Sequence, residues 1–140
     1  NGVQELHWHR DLFSAADHPR VPLPPVLDAT GLGRCLIYGP YIHIPPGSWS
    51  VSLMLGCCAR ARGLKMIAEI ASGAAVLGRV SFVLAEAGFF EIEFASILPS
   101  QDHPIEIRLF LAEAAFEGHL ALIQATLKPL RATRIPVKLA

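Results

Sequence analysis

The feature that most constrains this chain is the return of apolar residues at every second position along much of its length. From Ser48, the odd positions Trp49, Val51, Leu53, Leu55 and Cys57 are apolar or bulky. Ser50, Ser52 and Gly56 between them are small or polar, with Met54 the exception. A strand sends successive side chains to opposite faces, so such a run buries one row and exposes the other. The same period returns in Val80, Phe82 and Leu84 and in Phe90, Ile92 and Phe94, the latter with Glu91 and Glu93 between them. It returns again in Ile105, Ile107, Leu109 and Leu111 around Glu106 and Arg108, and in Leu120 and Leu122.

Glycine and proline punctuate these runs. Pro45-Pro46-Gly47 holds two extended runs apart, because proline fixes φ and glycine accepts a positive φ. Gly39-Pro40 interrupts the earlier run, and a proline inside a strand marks an edge or a bulge. Strands are therefore predicted over residues 35–44, 48–57, 64–71, 76–85, 89–98, 105–111 and 119–127. Residues 111–118, LAEAAFEG, hold good helix formers, but Gly118 and the alternation beyond it argue against a long helix. The string LAEA also occurs at 84–87, and both copies read as strand-end loops. Seven to eight short strands with regular turns, and no strand–helix–strand rhythm, give an all-β fold: an antiparallel β-sandwich of the jelly-roll kind.

Three parts are expected: an N-terminal arm with a Pro-rich segment (1–34), a β-sandwich domain (35–129) and a C-terminal tail (130–140). Residues 1–18 predict a turn or two of helix around Leu6, Leu12 and Phe13, with Trp8 or Phe13 packing back onto the sandwich. Four prolines within residues 19–27 predict an extended linker or edge-covering arm. His7, His9 and His18 invite a metal reading. A zinc site needs three or four ligands on a rigid frame, so they are read instead as solvated histidines beside a packed tryptophan, and no metal or cofactor is expected.

The charge balance narrows the partners. Twelve basic and twelve acidic residues leave no cationic excess to displace counterions from phosphates, which excludes a nucleic-acid binder. No apolar run reaches the ~18 residues that span a bilayer. Cys35, Cys57 and Cys58 are odd in number, and two are adjacent in a predicted strand, so they read as small buried hydrophobes rather than a disulfide framework. That usage leans toward a reducing, cytoplasmic compartment without fixing one. The opening Asn-Gly, without methionine, reads as a domain cut from a longer protein, so the lack of a leader carries no information.

Motifs for catalysis are missing: there is no G-x-S-x-G, H-E-x-x-H, phosphate-cradling glycine loop or C-x-x-C. Glu91 and Glu93 share a face about 7 Å apart, a spacing that paired glycosidase carboxylates also use, but exposed carboxylates on a half-buried strand account for them. Glu106 and Arg108 read as cross-strand pairing partners. The candidate ligand-binding residues are Tyr38, Tyr41, His43, Arg60, Arg62 and Arg108. Flat rings stack on the apolar faces of sugars while charged groups bind the hydroxyls. Tyr38 and Tyr41 flank Gly39-Pro40 out of phase, so that one points outward, and Arg60 and Arg62 stand on a turn that rims a site. Trp49, which begins an apolar row, is assigned to the core.

The run YGPYIHIPPGSWSVSLML, with the later PIEIRLFL and EGHLALIQATLKP, resembles the jelly-roll carbohydrate-binding modules and galactose-binding-like domains. Gly47, Trp49, Val51 and Leu53 fill the family's G-x-Y-x-V-x-L frame, with Trp in place of Tyr. The resemblance covers residues 35–129. It also extends to a domain found beside bacterial glycosyltransferases. It implies a non-catalytic module that binds a glycan or sugar, attached to other domains of a larger carbohydrate-active protein. The family's ligand residues lie in variable loops and none is carried over; its calcium needs acidic loops, which are poor here. Two other readings compete. A structural or assembly domain would use the high apolar content at a subunit interface as a homo-oligomer. A cupin-like enzyme would need converging ligands, whereas His43, His103 and His119 are scattered.

Overall fold

The alternating runs become seven long strands in the computed structural model, which describes residues 5–101 and 103–130. Three short strands from the N-terminal segment join them, giving ten among the described residues in two five-stranded antiparallel sheets. The first sheet holds β1 (Leu6–His9), β3 (Leu27–Asp28), β5 (Gly47–Cys57), β8 (Gly88–Leu98) and β10 (His119–Pro129). Its order is β1-β10-β5-β8, with β3 end to end with β1 along the same edge of β10. The second, ordered β2-β4-β9-β6-β7, holds β2 (Ser14–Ala15), β4 (Arg34–Ile42), β6 (Lys65–Ser72), β7 (Ala75–Val83) and β9 (Ile105–Leu111). Apart from the β6–β7 hairpin, every connection from β4 onward crosses between sheets, as a jelly roll requires.

The core lies where the apolar rows of the two sheets meet. Trp49, Val51, Leu53 and Leu55 of β5 face it, as do Ile105, Ile107, Leu109 and Leu111 of β9, all buried. The Trp49 indole N–H donates to the Pro45 carbonyl at 2.9 Å, so the core tryptophan also fixes the turn before its own strand. In β10 a bulge between Leu122 and Gln124 shifts the phase, so that Leu120 and Leu122 and then Ala125 and Leu127 all point inward. At one side the sheets nearly touch. Ser96 of β8 donates its hydroxyl to the Leu77 carbonyl of β7 at 2.7 Å, and a Cβ on Gly78 would meet that hydroxyl oxygen at 2.9 Å. No helix among the described residues is long and apolar enough to cross a membrane.

The N-terminal segment differs from the expected helical turns. Residues Leu6–His9 form a strand instead, paired with Gln124–Leu127, which buries Trp8 against Ala125. Only Arg10–Leu12 is helical, as one 3₁₀ turn. An unpaired edge of β10 offers ladder hydrogen bonds that an isolated turn cannot match, so tertiary pairing overrides local propensity. Phe13 is buried too, and Arg34 grips the same segment, its guanidinium bonding Asp17 at 2.7 Å and the Leu32 carbonyl at 2.9 Å. The expected C-terminal tail lies outside the described residues beyond Leu130.

Candidate ligand site on the second sheet

The outer face of the second sheet carries a cross-strand row in which Tyr38 of β4 lies opposite Arg108 of β9, Arg108 opposite Glu69 of β6, and Glu69 opposite Arg79 of β7. Arg108 is fully engaged. It pairs with Glu106 two residues away, donates to the Gly73 carbonyl at 2.8 Å and approaches Glu69 at 3.7 Å; Arg79 reaches Glu69 at 3.5 Å. Two carboxylates and two guanidinium groups leave the cluster without net charge. Glu69 and Glu106 are 2% and 5% exposed, so their pairing is what makes their burial tolerable.

Beside this row β4 bulges. The β4–β9 register slips between Pro40 and Ile42, which leaves Tyr41 unpaired and turned out of the ladder with φ at 68°. That left-handed backbone is disfavoured for a side-chain-bearing residue by about 1–2 kcal/mol. Gly39 makes the bend possible: its φ is 131°, and a Cβ there would sit 3.0 Å from the Leu12 carbonyl oxygen, which laps over the strand. The consequence is a ring pair. Tyr38 and Tyr41 meet edge to face at 6.1 Å and an interplanar angle of 67°.

These residues line a cleft of about 390 Å³, with Cys35, Glu106, Arg108 and Phe110 along the strands and Ala16 as its lip. Burial, and then the neighbouring Glu106 carboxylate, push the Tyr41 hydroxyl up to about 12, so it remains a neutral donor. Burial also pushes the Cys35 thiol up to about 11. Oε2 of Glu106 is buried with no hydrogen-bond partner among the described residues. Its register explains this: Glu106 lies between Pro40 and Ala71, neither of which has a side-chain donor.

Of the six residues singled out in the sequence, the fold gathers Tyr38, Tyr41 and Arg108 around one cleft. His43 stands exposed beyond β4 and does not line it. Arg60 and Arg62 lie elsewhere, exposed at the β5–β6 connection, with Arg60 paired to Glu117 at 3.1 Å. Sequence reasoning missed Glu69 and gave Glu106 no place in the site. A single carboxylate within the apolar string MIAEIA was the available signal for Glu69.

The first sheet carries two further concavities. A polar groove of about 240 Å³ has small Ser50 and Ser52 as its floor and Glu91, Glu93, Gln124 and Lys128 among its walls. Glu91 and Glu93 are both exposed, and Glu93 accepts from the Ser50 hydroxyl at 2.9 Å. Among the described residues, no Trp, Tyr or Phe lines this groove. An apolar cleft of about 280 Å³ lies at one end of the same sheet, where the exposed Phe89 ring covers Gly56 beside Cys57, Cys58 and His119. Among the described residues no group of His, Cys, Asp and Glu is arranged to hold a metal ion.

No protein-family model matches the chain, and no curated protein matches it by sequence. Solved structures do resemble it. The CBM36-1 domain of a multidomain xylanase from the hindgut metagenome of Trinervitermes trinervoides aligns over 92% of this chain and all of that one, with a TM-score of 0.58 at 6% identity. TmCBM61, solved in complex with β-1,4-galactotriose, aligns over 90% of this chain and 88% of its own, with a TM-score of 0.56 at 10% identity. A cyclase from Fischerella sp. TAU, solved with 4-(1H-indol-3-yl)butan-2-one, aligns over 91% and 86%, with a TM-score of 0.52 at 13% identity. At these identities the likeness is one of fold: the jelly-roll sandwich of carbohydrate-binding modules, shared by at least one enzyme.

Proposed function

We propose that this chain is a non-catalytic glycan-binding module whose ligand occupies the cleft over the second sheet, and that it serves a larger carbohydrate-active protein such as a glycosyltransferase. The observation that carries the reading is the Tyr38–Tyr41 pair, with Tyr41 set out on a β-bulge, beside a charge-balanced network of Arg108, Glu106, Glu69 and Arg79. Backbone strain tolerated at a bulge tends to mark a functional position. Exposed rings give a sugar an apolar face to stack on, and a neutral polar network suits hydroxyls better than ions. The carbohydrate-binding modules of the same fold are consistent with this chemistry.

The test is a glycan array of neutral oligosaccharides, followed by calorimetry on any hit. Tyr41→Gly is the variant of choice, because glycine adopts the left-handed backbone without strain while the ring is removed. Binding is expected to fall at least tenfold in Tyr41→Gly and to be unchanged in Glu91→Gln on the opposite sheet. The reverse pattern would move the site to the polar groove of the first sheet. A second reading, an assembly domain, rests on the apolar cleft around Phe89, whose side chain is 79% exposed. A stable dimer in solution with no glycan bound would favour it over the first.

A further inference from the structure

Glu106 holds a buried oxygen without a partner, and its bearing on ligand choice rests on the glycan-binding proposal. The residue is 5% exposed, lines the cleft, and uses Oε1 for Arg108 while Oε2 has no partner among the described residues. An ionised carboxylate only accepts, so an unpaired buried oxygen is a standing cost to the fold. Nothing in its register relieves it, since Pro40 and Ala71 flank it, and the Tyr41 hydroxyl, near enough for Glu106 to raise its pKa, lies outside hydrogen-bonding geometry with Oε2. Tyr41 is 54% exposed and sits on a one-residue bulge beside this carboxylate.

We infer that Glu106 is the specificity-determining residue of the cleft: its Oε2 accepts a hydrogen bond from a hydroxyl of a ligand stacked on the Tyr41 ring, which selects neutral sugars and rejects acidic ones. The rejection follows from the donors. Among the described residues the only cation lining the cleft, Arg108, is already taken by Glu106, Glu69 and the Gly73 carbonyl, so a uronate or sulfate would meet an acceptor and no free cation. A site whose buried acceptor needs a donor discriminates strongly against a ligand that lacks one there.

The experiment titrates β-1,4-galactotriose, cellotriose and α-1,4-trigalacturonate into the wild-type chain and into Glu106→Gln. The expected result is that at least one neutral trisaccharide binds the wild type at least tenfold more tightly than trigalacturonate. In Glu106→Gln, that neutral ligand weakens tenfold or more and the gap between neutral and acidic ligands narrows, as expected when a hydrogen bond to a charged group is lost. A folded Glu106→Gln with unchanged preference, or a wild type that prefers trigalacturonate, overturns the assignment. If Glu106→Gln fails to fold, the preference of the wild type decides. Binding lost in Tyr41→Gly but untouched in Glu106→Gln sinks this inference alone. No binding of any of the three sugars sinks it together with the glycan reading.

Discussion

Two cysteines show how far the immediate surroundings of a side chain set its chemistry. Cys58 follows β5, where the His119 backbone N–H reaches its sulfur at 3.2 Å, and that bond holds the thiol below its usual range. Cys35 faces the other way in this respect, pushed up to about 11 by burial and then by the Glu106 carboxylate. Cys57 is also raised by burial, and its thiol donates to the Glu86 carbonyl at 3.1 Å. Because the thiolate is the nucleophile, the three should differ in rate although all are free. With iodoacetamide at pH 8, Cys58 is expected to be alkylated first and Cys35 last, by at least tenfold, as followed by mass spectrometry of the peptides. Equal rates would mean that the His119 contact does not form in solution. None of this order is visible in the sequence, where all three read alike as small hydrophobes.

At the scale of the element, β4 concentrates the conflict between a regular strand and a binding surface. Gly39 and Gly47 both have positive φ, at 131° and 134°, but only Gly39 is crowded, with the Leu12 carbonyl oxygen 3.0 Å and the Phe13 Cα 3.3 Å from where a Cβ would stand. Nothing lies within 4 Å of the same position at Gly47. Both alanine variants should lose the roughly 1 kcal/mol or more that an incompatible φ costs. Gly39→Ala should lose visibly more than Gly47→Ala in urea unfolding, because backbone cannot step aside as a side-chain tip can. Equal losses would show that the N-terminal segment does not lap over β4. The long strands were legible because a period of two needs only neighbouring residues to be seen, as in Trp49 to Cys57 or Ile105 to Leu111. Pro40 announced an edge or bulge, yet which ring the bulge would turn outward depends on register with β9, more than sixty residues away. The strand Leu6–His9 was illegible for the same reason, since its partner is β10.

For the whole molecule, the segment before β4 is the part whose attachment depends on charge. It contributes strands to both sheets, and Arg34 ties it down through Asp17, with Nη2 at 2.7 Å from the carboxylate and a further bond to the Thr30 carbonyl at 3.2 Å. The hydrogen bond from Arg34 lowers the Asp17 pKa, and the Thr30 hydroxyl and N–H lower that of Asp28 in the same segment. A carboxylate lowered on folding stabilises the native state above its unfolded pKa of about 3.9, and that contribution fades as pH falls through the lower folded value. Arg34 keeps its charge throughout, so the loss belongs to the carboxylates. The melting temperature should therefore be level near neutrality and drop below about pH 4. With the Asp17 side chain 41% exposed, Asp17→Asn should cost within about 1 kcal/mol at pH 7. The same variant should flatten the acid limb. The local signature is decisive. At pH 3 pepsin is expected to cut the wild type first within residues 10–33, where the latch has weakened, before it cuts the long strands. First cuts elsewhere, or an acid limb as steep in Asp17→Asn as in the wild type, would show that the segment is held by Trp8 and Phe13 in the core and not by Asp17 and Arg34.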